Sequence, residues 1–393
     1  MNAVRLTCLY LLIAVGIPAT ALAEDVPPVY GMQFSPDGKL LAAITSSSSP
    51  PGPLVLWNVD DWSIAKTVVL RRGGLDLDFS PNGDNIAYCT KKGVVGILDV
   101  ATGEMIREFG ANDERLNCVA FTPDGKTLVT AGEDTSIYLW NAKTGEQVGK
   151  FAGQSGKIHS LSVSPDGRSL LSVDEDRRVI LWDLSTQKTR QTFEPSELHV
   201  RGGLFSSDGE FILTSQNDGT TRIRKPSTGE LRARLRPGSY SANITSDNHL
   251  VATSSYGNEV HIFAVDLEDP SPEVRETLDD LLSRFLDENY EVRQHAAQEI
   301  VAMGMIAVPL LREAMHSEDA EIRVRARSLR EQLLSPEPIA ELTGHKKTVQ
   351  VVDFSPDGKL LATGDWEGKI KVWDTTTFQE VVNLELPFPK GER

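Results

Sequence analysis

The stretch FSPDGKLLA stands at Phe34–Ala42 and again, unchanged, at Phe354–Ala362. Its Ser-Pro-Asp-Gly core is turn chemistry. Pro presets φ at the first turn position, Asp bonds back to the turn backbone, and Gly takes the positive φ that ends the reversal. Alternating apolar runs flank it, so the unit reads as strand, tight turn, strand. The marker recurs at Pro81, Pro123 and Pro165, and in weakened form at Ser207 of FSSDG and Ser246 of ITSDN. Seven copies, the first six spaced by roughly 40 residues, mean that one small unit is repeated along the chain.

Every copy follows one grammar. The turn leads into a second apolar run such as TLVTAG (Thr127–Gly132). A third run ends in Trp-Asp or Trp-Asn, as in VILWD, KVWD and IYLWN. A turn often written Thr-Gly-Glu follows (Thr102–Glu104, Thr144–Glu146, Thr228–Glu230), then a more polar fourth run such as EMIREF (Glu104–Phe109). Four short antiparallel strands per copy make a propeller blade.

On these residues the chain resembles the WD40-repeat β-propellers. Trp182-Asp183, Trp373-Asp374 and the Gly344-His345 pair carry the likeness over most of Val29–Leu386. The resemblance implies an all-β seven-bladed WD40 β-propeller. It also implies a structural His–Ser/Thr–Asp–Trp hydrogen-bond set within blades. The third copy offers Thr130, Asp134 and Trp140, with Ala111 in the His place. The fourth offers Ser172, Asp176 and Trp182, with Gln154 there. The seventh offers His345, Thr363 and Trp373, with Glu367 in the Asp place. On this reading the set is complete in no blade. Arg224 and Phe263 stand for Trp in blades five and six, which are expected to pack least regularly. The first copy opens at an inner strand (Val29–Phe34) and the last ends in its own outer strand. Closure is therefore expected by packing of first blade on last, without strand exchange.

One segment breaks the period. Between the sixth and seventh markers, VRETLDDLLSRFL, VRQHAAQEIVAMG, AVPLLREAM and EIRVRARSLREQLL place apolar residues every three or four positions. In the last, Ile322, Ala326, Leu329 and Leu333 share a face. V-R-x-x-A-A at Val292–Ala297 and the run Ala307–Leu311 resemble HEAT repeats, so an inserted all-α HEAT-like helical segment is expected. HIFAV (His261–Val265) before it and IAEL (Ile339–Leu342) after it read as third and fourth strands of blade six. The helices should then protrude from the face that carries the SPDG turns. The expected organisation is a signal peptide over 1–23, blades one to six over 24–267, the helical segment over 268–338, and the end of blade six with blade seven over 339–393.

Met1–Arg5 carries one positive charge, Leu6–Val15 is apolar, and Ala21-Leu22-Ala23 has the form of a cleavage site. This reads as a secretory leader, and its apolar core is short for a full membrane span. It implies a secreted or periplasmic protein without stable membrane insertion after cleavage. Cys89 and Cys118 lie in strand-like runs and read as buried unpaired thiols. The net charge of −16 over 393 residues argues against bulk attraction to nucleic acid or anionic lipid.

No catalytic constellation emerges. The seven His residues show no metal-ligand spacing, and there is no nucleophile elbow or phosphate loop. No cofactor or metal is expected. Asp76, Asp78 and Asp353 fall on inner strands and would face a central channel; they read as hydrated structure, or as the acids of a channel-mouth enzyme or small-ligand binder. The fourth-to-first strand connections carry Arg71-Arg72, Arg115, Lys157, Arg201, Arg236 and Lys346-Lys347. These form either a cationic ring on an acidic body or solvated loops neutralised by Asp113, Glu114, Asp174, Glu175, Asp365 and Glu367. Trp366 occupies a turn where a small polar residue is usual, as an interface anchor or as a lid on blade seven. The Arg323, Arg327 and Arg330 stripe reads as a solvated helix face. The candidate partner-binding residues are therefore Arg115, Lys157, Arg201, Arg236, Lys347 and Trp366. The expected function is a non-catalytic protein–protein interaction scaffold with a protein partner, acidic if the cationic ring is real. The alternatives are an extracytoplasmic enzyme or small-ligand binder using the channel, and recognition of an anionic surface polymer by the ring.

Overall fold

The computed structural model describes residues 27–46, 52–111, 114–151, 153–193, 199–238 and 240–387. The leader expected over 1–23 lies outside the described residues. Seven four-stranded antiparallel sheets, each running from inner to outer strand in chain order, form a seven-bladed propeller. The inner strands are Val29–Phe34, Asp76–Phe79, Leu116–Phe121, Ile158–Val163, Val200–Phe205, Ala242–Ile244 and Val349–Phe354.

The repeated turn does what its residues require. Asp37 Oδ1 accepts from the Ser35 hydroxyl at 2.7 Å and from the Lys39 N–H at 3.1 Å, and Ser35 Oγ accepts from the Leu40 N–H at 2.9 Å. Gly38 takes φ 71°, a left-handed value that costs a side chain strain. The turn also has a partner. A Cβ on Gly38 would sit 3.6 Å from the ring of Pro356, and one on Gly125 3.6 Å from Pro81. The turn glycines of blades one to five thus pack on the turn proline of the blade before, whereas Gly358 of blade seven meets Thr245. These contacts make a collar on one face, and it runs from blade seven into blade one.

The same order holds around the bore. In blades one, two, four and seven the next-to-last residue of the inner strand reaches to the next blade. Gln33 Oε1 accepts the Phe79 N–H at 2.9 Å, Asp78 Oδ2 accepts the Phe121 N–H at 2.7 Å, and Ser162 Oγ accepts the Phe205 N–H at 3.0 Å. Asp353 Oδ2 accepts the Phe34 N–H at 2.7 Å, which closes the ring. Asn243 Nδ2 donates to Asp353 Oδ1 at 2.7 Å, and Gln33 Nε2 to Asp78 Oδ1 at 3.0 Å. Ala120 and Leu204 hold the same place in blades three and five and can accept nothing. Closure uses no exchanged strand: blade seven keeps its own outer strand (Glu380–Glu385), and Val29, Phe34 and Trp57 share one core with Ile370, Val372 and Leu384.

The bore carboxyls have a pH consequence. Burial raises Asp76 and Asp353 to about 7 and Asp78 to about 6, against the opposing pull of the N–H donors; Asp78 adds repulsion on both of the others. A carboxyl whose folded pKa lies above its unfolded value binds more protons when folded. Its contribution is complete below the unfolded pKa and is lost as pH rises through 6 to 7. The marker aspartates Asp37, Asp124 and Asp357 are shifted down by their Ser or Thr hydroxyls, so they act only in acid, below their ordinary range. Asp353→Asn should therefore flatten the fall in unfolding midpoint between pH 6 and 8, by on the order of 1 kcal/mol at pH 8. Denaturation of both proteins across that range reads it directly. Parallel profiles would show that Asp353 does not titrate there.

Inside the blades the indoles organise the polar core. Trp140 and Trp182 Nε1 donate to Thr130 Oγ1 at 2.8 Å and Ser172 Oγ at 2.7 Å. Gln154 Nε2 also donates to Ser172, and the Ser155 hydroxyl reaches Asp176 at 2.6 Å. Blade seven corrects the expectation. Trp373 Nε1 donates to Thr363 Oγ1 at 2.9 Å, Thr363 meets His345 Nε2 at 2.7 Å, and His345 Nδ1 meets Asp365 Oδ2 at 2.8 Å. The set is complete there, with the acid supplied by Asp365, two residues before Glu367. Asp365 is buried at the strand end, whereas Glu367 points outward to Lys347 at 3.7 Å.

The helical segment consists of α1 (Pro272–Ser283), α2 (Tyr290–Met303), α3 (Val308–Ala314) and α4 (Ala320–Leu333). Ser271, Asn289 and Asp319 cap α1, α2 and α4 with side-chain acceptors, and Pro272 opens α1. Leu278, Phe285, Ile300, Leu311, Ala326 and Leu333 form its core. Ala340–Leu342 pairs with Val260–Ala264, so the helices interrupt the third-to-fourth strand connection of blade six. They fold back on the outer strand of blade five, Leu231–Leu235, where Leu231 joins the helical core. The Arg234 N–H donates to Leu334 O at 2.6 Å, and Arg234 pairs with Glu331 at 3.2 Å. Arg232, 3% exposed, clamps the connecting chain through Leu267 O, Glu268 O and Asp269 at 2.7 to 3.1 Å. Met305 inserts into the core shared by blades five and six.

Candidate functional site

The face opposite the collar surrounds the mouth of the bore, a cavity of about 420 Å³. One position of the repeat lines it. Four residues before the last residue of each inner strand stand Tyr30, Leu75, Asn117, His159, Arg201, Tyr240 and Gln350, and all seven border the cavity. In five blades the ladder between first and second strands shifts register around this residue, at Tyr30, Asn117, His159, Arg201 and Gln350. A bulge adds one unpaired residue and re-aims its side chain, which is how a core-facing strand supplies a polar group to the bore.

The ring has two halves. Blades six, seven and one give an aromatic wall. Tyr240 and Tyr256 meet edge to face at 5.8 Å, and Tyr30 lies 6.0 Å from Trp366. Blades two to five give cations. Lys91 Nζ stands 5.5 Å from the Tyr30 ring centre, and the Arg201 guanidinium 5.5 Å from Tyr240 and 5.9 Å from Tyr256. Arg201 Nε donates to Asn217 Oδ1 at 3.0 Å and Nη2 to the Tyr256 hydroxyl at 3.0 Å; that hydroxyl donates to Asn217 Oδ1 at 2.9 Å. This closed triangle fixes the guanidinium with neutral partners. The local field is positive: burial, with Arg201 and Arg115 beside it, lowers His159 against the pull of Glu175, and burial with Arg115 lowers Lys91. Asp76 borders the cavity but accepts the Val119 N–H at 3.0 Å. Asp78 and Asp353 are likewise engaged in blade seams, so the bore acids have structural partners.

The basic residues singled out in the sequence separate into two sets. Arg201 lines the mouth, Trp366 stands beside it against Tyr30, and Arg115 supports it by donating from Nε to Asn117 Oδ1 at 2.8 Å. Lys157 pairs with Glu133 at 3.6 Å and Lys347 with Glu367 at 3.7 Å, so both are locally neutralised. Arg236 is exposed in the connection before blade six. Tyr30, Lys91, His159, Tyr240, Tyr256 and Gln350 were missed. All seven ring residues sit in one column of the repeat and six have non-aliphatic side chains, so reading that column would have found Tyr30, His159, Tyr240 and Gln350, whereas Lys91 and Tyr256 lie outside it, between strands.

The family model described as "WD domain, G-beta repeat" matches residues 103–141, 145–183 and 336–374. Each match ends one residue past a tryptophan whose indole donates to Thr130, Ser172 or Thr363, so the recognised blades are those with this bond. The chain is 48% identical over 42 residues to ribosome assembly protein 4 of Saccharomyces cerevisiae, covering 11% of this chain and 8% of that protein. It is 50% identical over 40 residues to a probable cytosolic Fe-S cluster assembly factor of Schizosaccharomyces japonicus, covering 10% and 6%. It is 27% identical over 120 residues to WD repeat-containing protein VIP3 of Arabidopsis thaliana, covering 26% and 36%. The matches thus span well under two thirds of each relative's length.

Proposed function

We propose that this seven-bladed WD40 propeller is a non-catalytic interaction scaffold that holds a protein partner at the mouth of its bore. The observation that carries the reading is the ring itself: seven equivalent positions, five of them bulged, bring aromatic and hydrogen-bonding side chains to one rigid opening. A preformed ring loses little conformational entropy on association. Exposed aromatics and an arginine at its centre are the residue types that dominate binding energy. Names such as ribosome assembly protein and Fe-S cluster assembly factor support a role in assemblies, through matches about one repeat long. The leader-like composition of residues 1–23 supports a site of action outside the cytoplasm, and the HEAT-like helices would be a second recognition surface.

The test is affinity capture with three baits: the chain without residues 1–23, its Tyr240→Ala/Trp366→Ala variant, and an Arg323→Gln/Arg327→Gln variant on α4. A partner retained by the first and third baits and lost by the second is the expected result. Retention by the second but not the third would move recognition to the helices. Failure of all three to retain any partner reproducibly would count against a scaffold.

A further inference from the structure

Resting on that reading, we infer that the bore mouth recognises a carboxylate on the partner polypeptide, an acidic side chain or chain end, held by Arg201 with an apolar flank against Tyr240, Tyr256 and Trp366. Arg201 is exposed, yet its orientation is fixed by Asn217 and Tyr256. A guanidinium has five N–H donors, and two are used here, so three remain for a ligand. Among the described residues no carboxylate pairs with Arg201, although the chain carries 56 acidic residues. Lys157, Lys347 and Arg72, on the same face but outside the mouth, each have an acidic partner. An oriented, unneutralised guanidinium set against aromatic rings matches a planar carboxylate that can be bound at two oxygens.

The surrounding groups fit the same ligand. Arg115 and Lys91 add positive potential, and none of the seven ring positions is acidic. Asn117 is held between Arg115 Nε and Ile158 O, and the Gln350 amide borders the cavity where a peptide backbone would run. The net charge of −16 selects against long polyanions. A nucleic acid would extend over the acidic body, whereas a single carboxylate meets only charges within about 8 Å at physiological salt.

The probe is a pool of randomised octapeptides on beads, prepared with either free or amidated C-termini. It is passed over the wild-type chain, Arg201→Gln, and Lys157→Gln as a surface-charge control. Arg201→Lys keeps the charge without the planar fork, and circular dichroism with the unfolding midpoint shows that each variant is folded. The expected wild-type pool is enriched at least about fivefold in Asp and Glu, or in free C-termini, relative to the Arg201→Gln pool. Lys157→Gln should match the wild type, and Arg201→Lys should recover only part of the enrichment. The two terminal chemistries separate a side-chain carboxylate from a chain end. Absence of enrichment, or equal enrichment with Arg201→Gln, overturns the inference. A partner that depends on Tyr240 and Trp366 but binds Arg201→Gln unchanged would overturn it while leaving the scaffold reading intact.

Discussion

Asp365→Ala should destabilise the protein by about 3 kcal/mol, whereas Glu367→Ala should change it by less than about 0.5 kcal/mol. Asp365 fixes a buried chain of donors and acceptors. Its carboxylate holds the Nδ1 proton of His345, which leaves Nε2 to accept from Thr363, whose oxygen in turn accepts from Trp373. The Asp365 and His345 side chains are each about 1% exposed, so no water replaces the lost partner. Asp365 Oδ1 also accepts the Glu367 and Lys369 N–H groups at 2.9 and 3.0 Å, so the same substitution frees two turn donors. Glu367 meets only Lys347, in an exposed pair of the kind that contributes little. Urea denaturation of the three proteins gives the comparison. Equal losses for both variants would restore the acid to the position read from sequence.

The second large effect concerns the helices. Arg232→Ala should cost about 3 kcal/mol, because it empties a buried position and leaves the Leu267 and Glu268 carbonyls without their donor, while Asp269 keeps Lys225 and Glu230 keeps Arg312. Replacing residues 268–338 by a short linker should be worse and give a chain that aggregates. The outer strands of the other blades alternate exposed and half-buried, as in Met105–Gly110, but Leu231–Leu235 is mostly buried. Uncovered, it becomes an apolar sheet edge with unpaired backbone groups, the template for aggregation. Met305 would leave a hole between blades five and six. Size-exclusion chromatography of the linker variant checks this, and a soluble monomer with an unchanged unfolding midpoint would show that the helices are an independent appendage. The helices are therefore better probed by surface substitutions than by deletion.

The blades were legible because the SPDG turn is specified locally: Ser, Pro, Asp and Gly each have one job in a five-residue loop. The helices were legible from period alone. Their docking was not, since Arg232 and Arg234 look like ordinary outer-strand cations until their partners, 35 to 97 residues away, are known. Asp365 was missed because the loop after the strand is one in which two acids compete, and burial decides between them. The candidate site was legible only in part. Arg201 and Trp366 stood out as loop residues, but Tyr30, His159 and Gln350 sit within apolar strands, where they show only when the seven copies are compared position by position.

The central claim is that the bore mouth holds the partner. The most direct measurement is the affinity of the purified partner for the wild type, Tyr240→Ala, Trp366→Ala and Arg201→Gln, beside Asp37→Asn on the collar face and Lys157→Gln on the loops. Losses of at least about tenfold confined to the three mouth variants are predicted. Uniform affinity across the mouth set, with the loss falling instead on the collar or the loops, would contradict it.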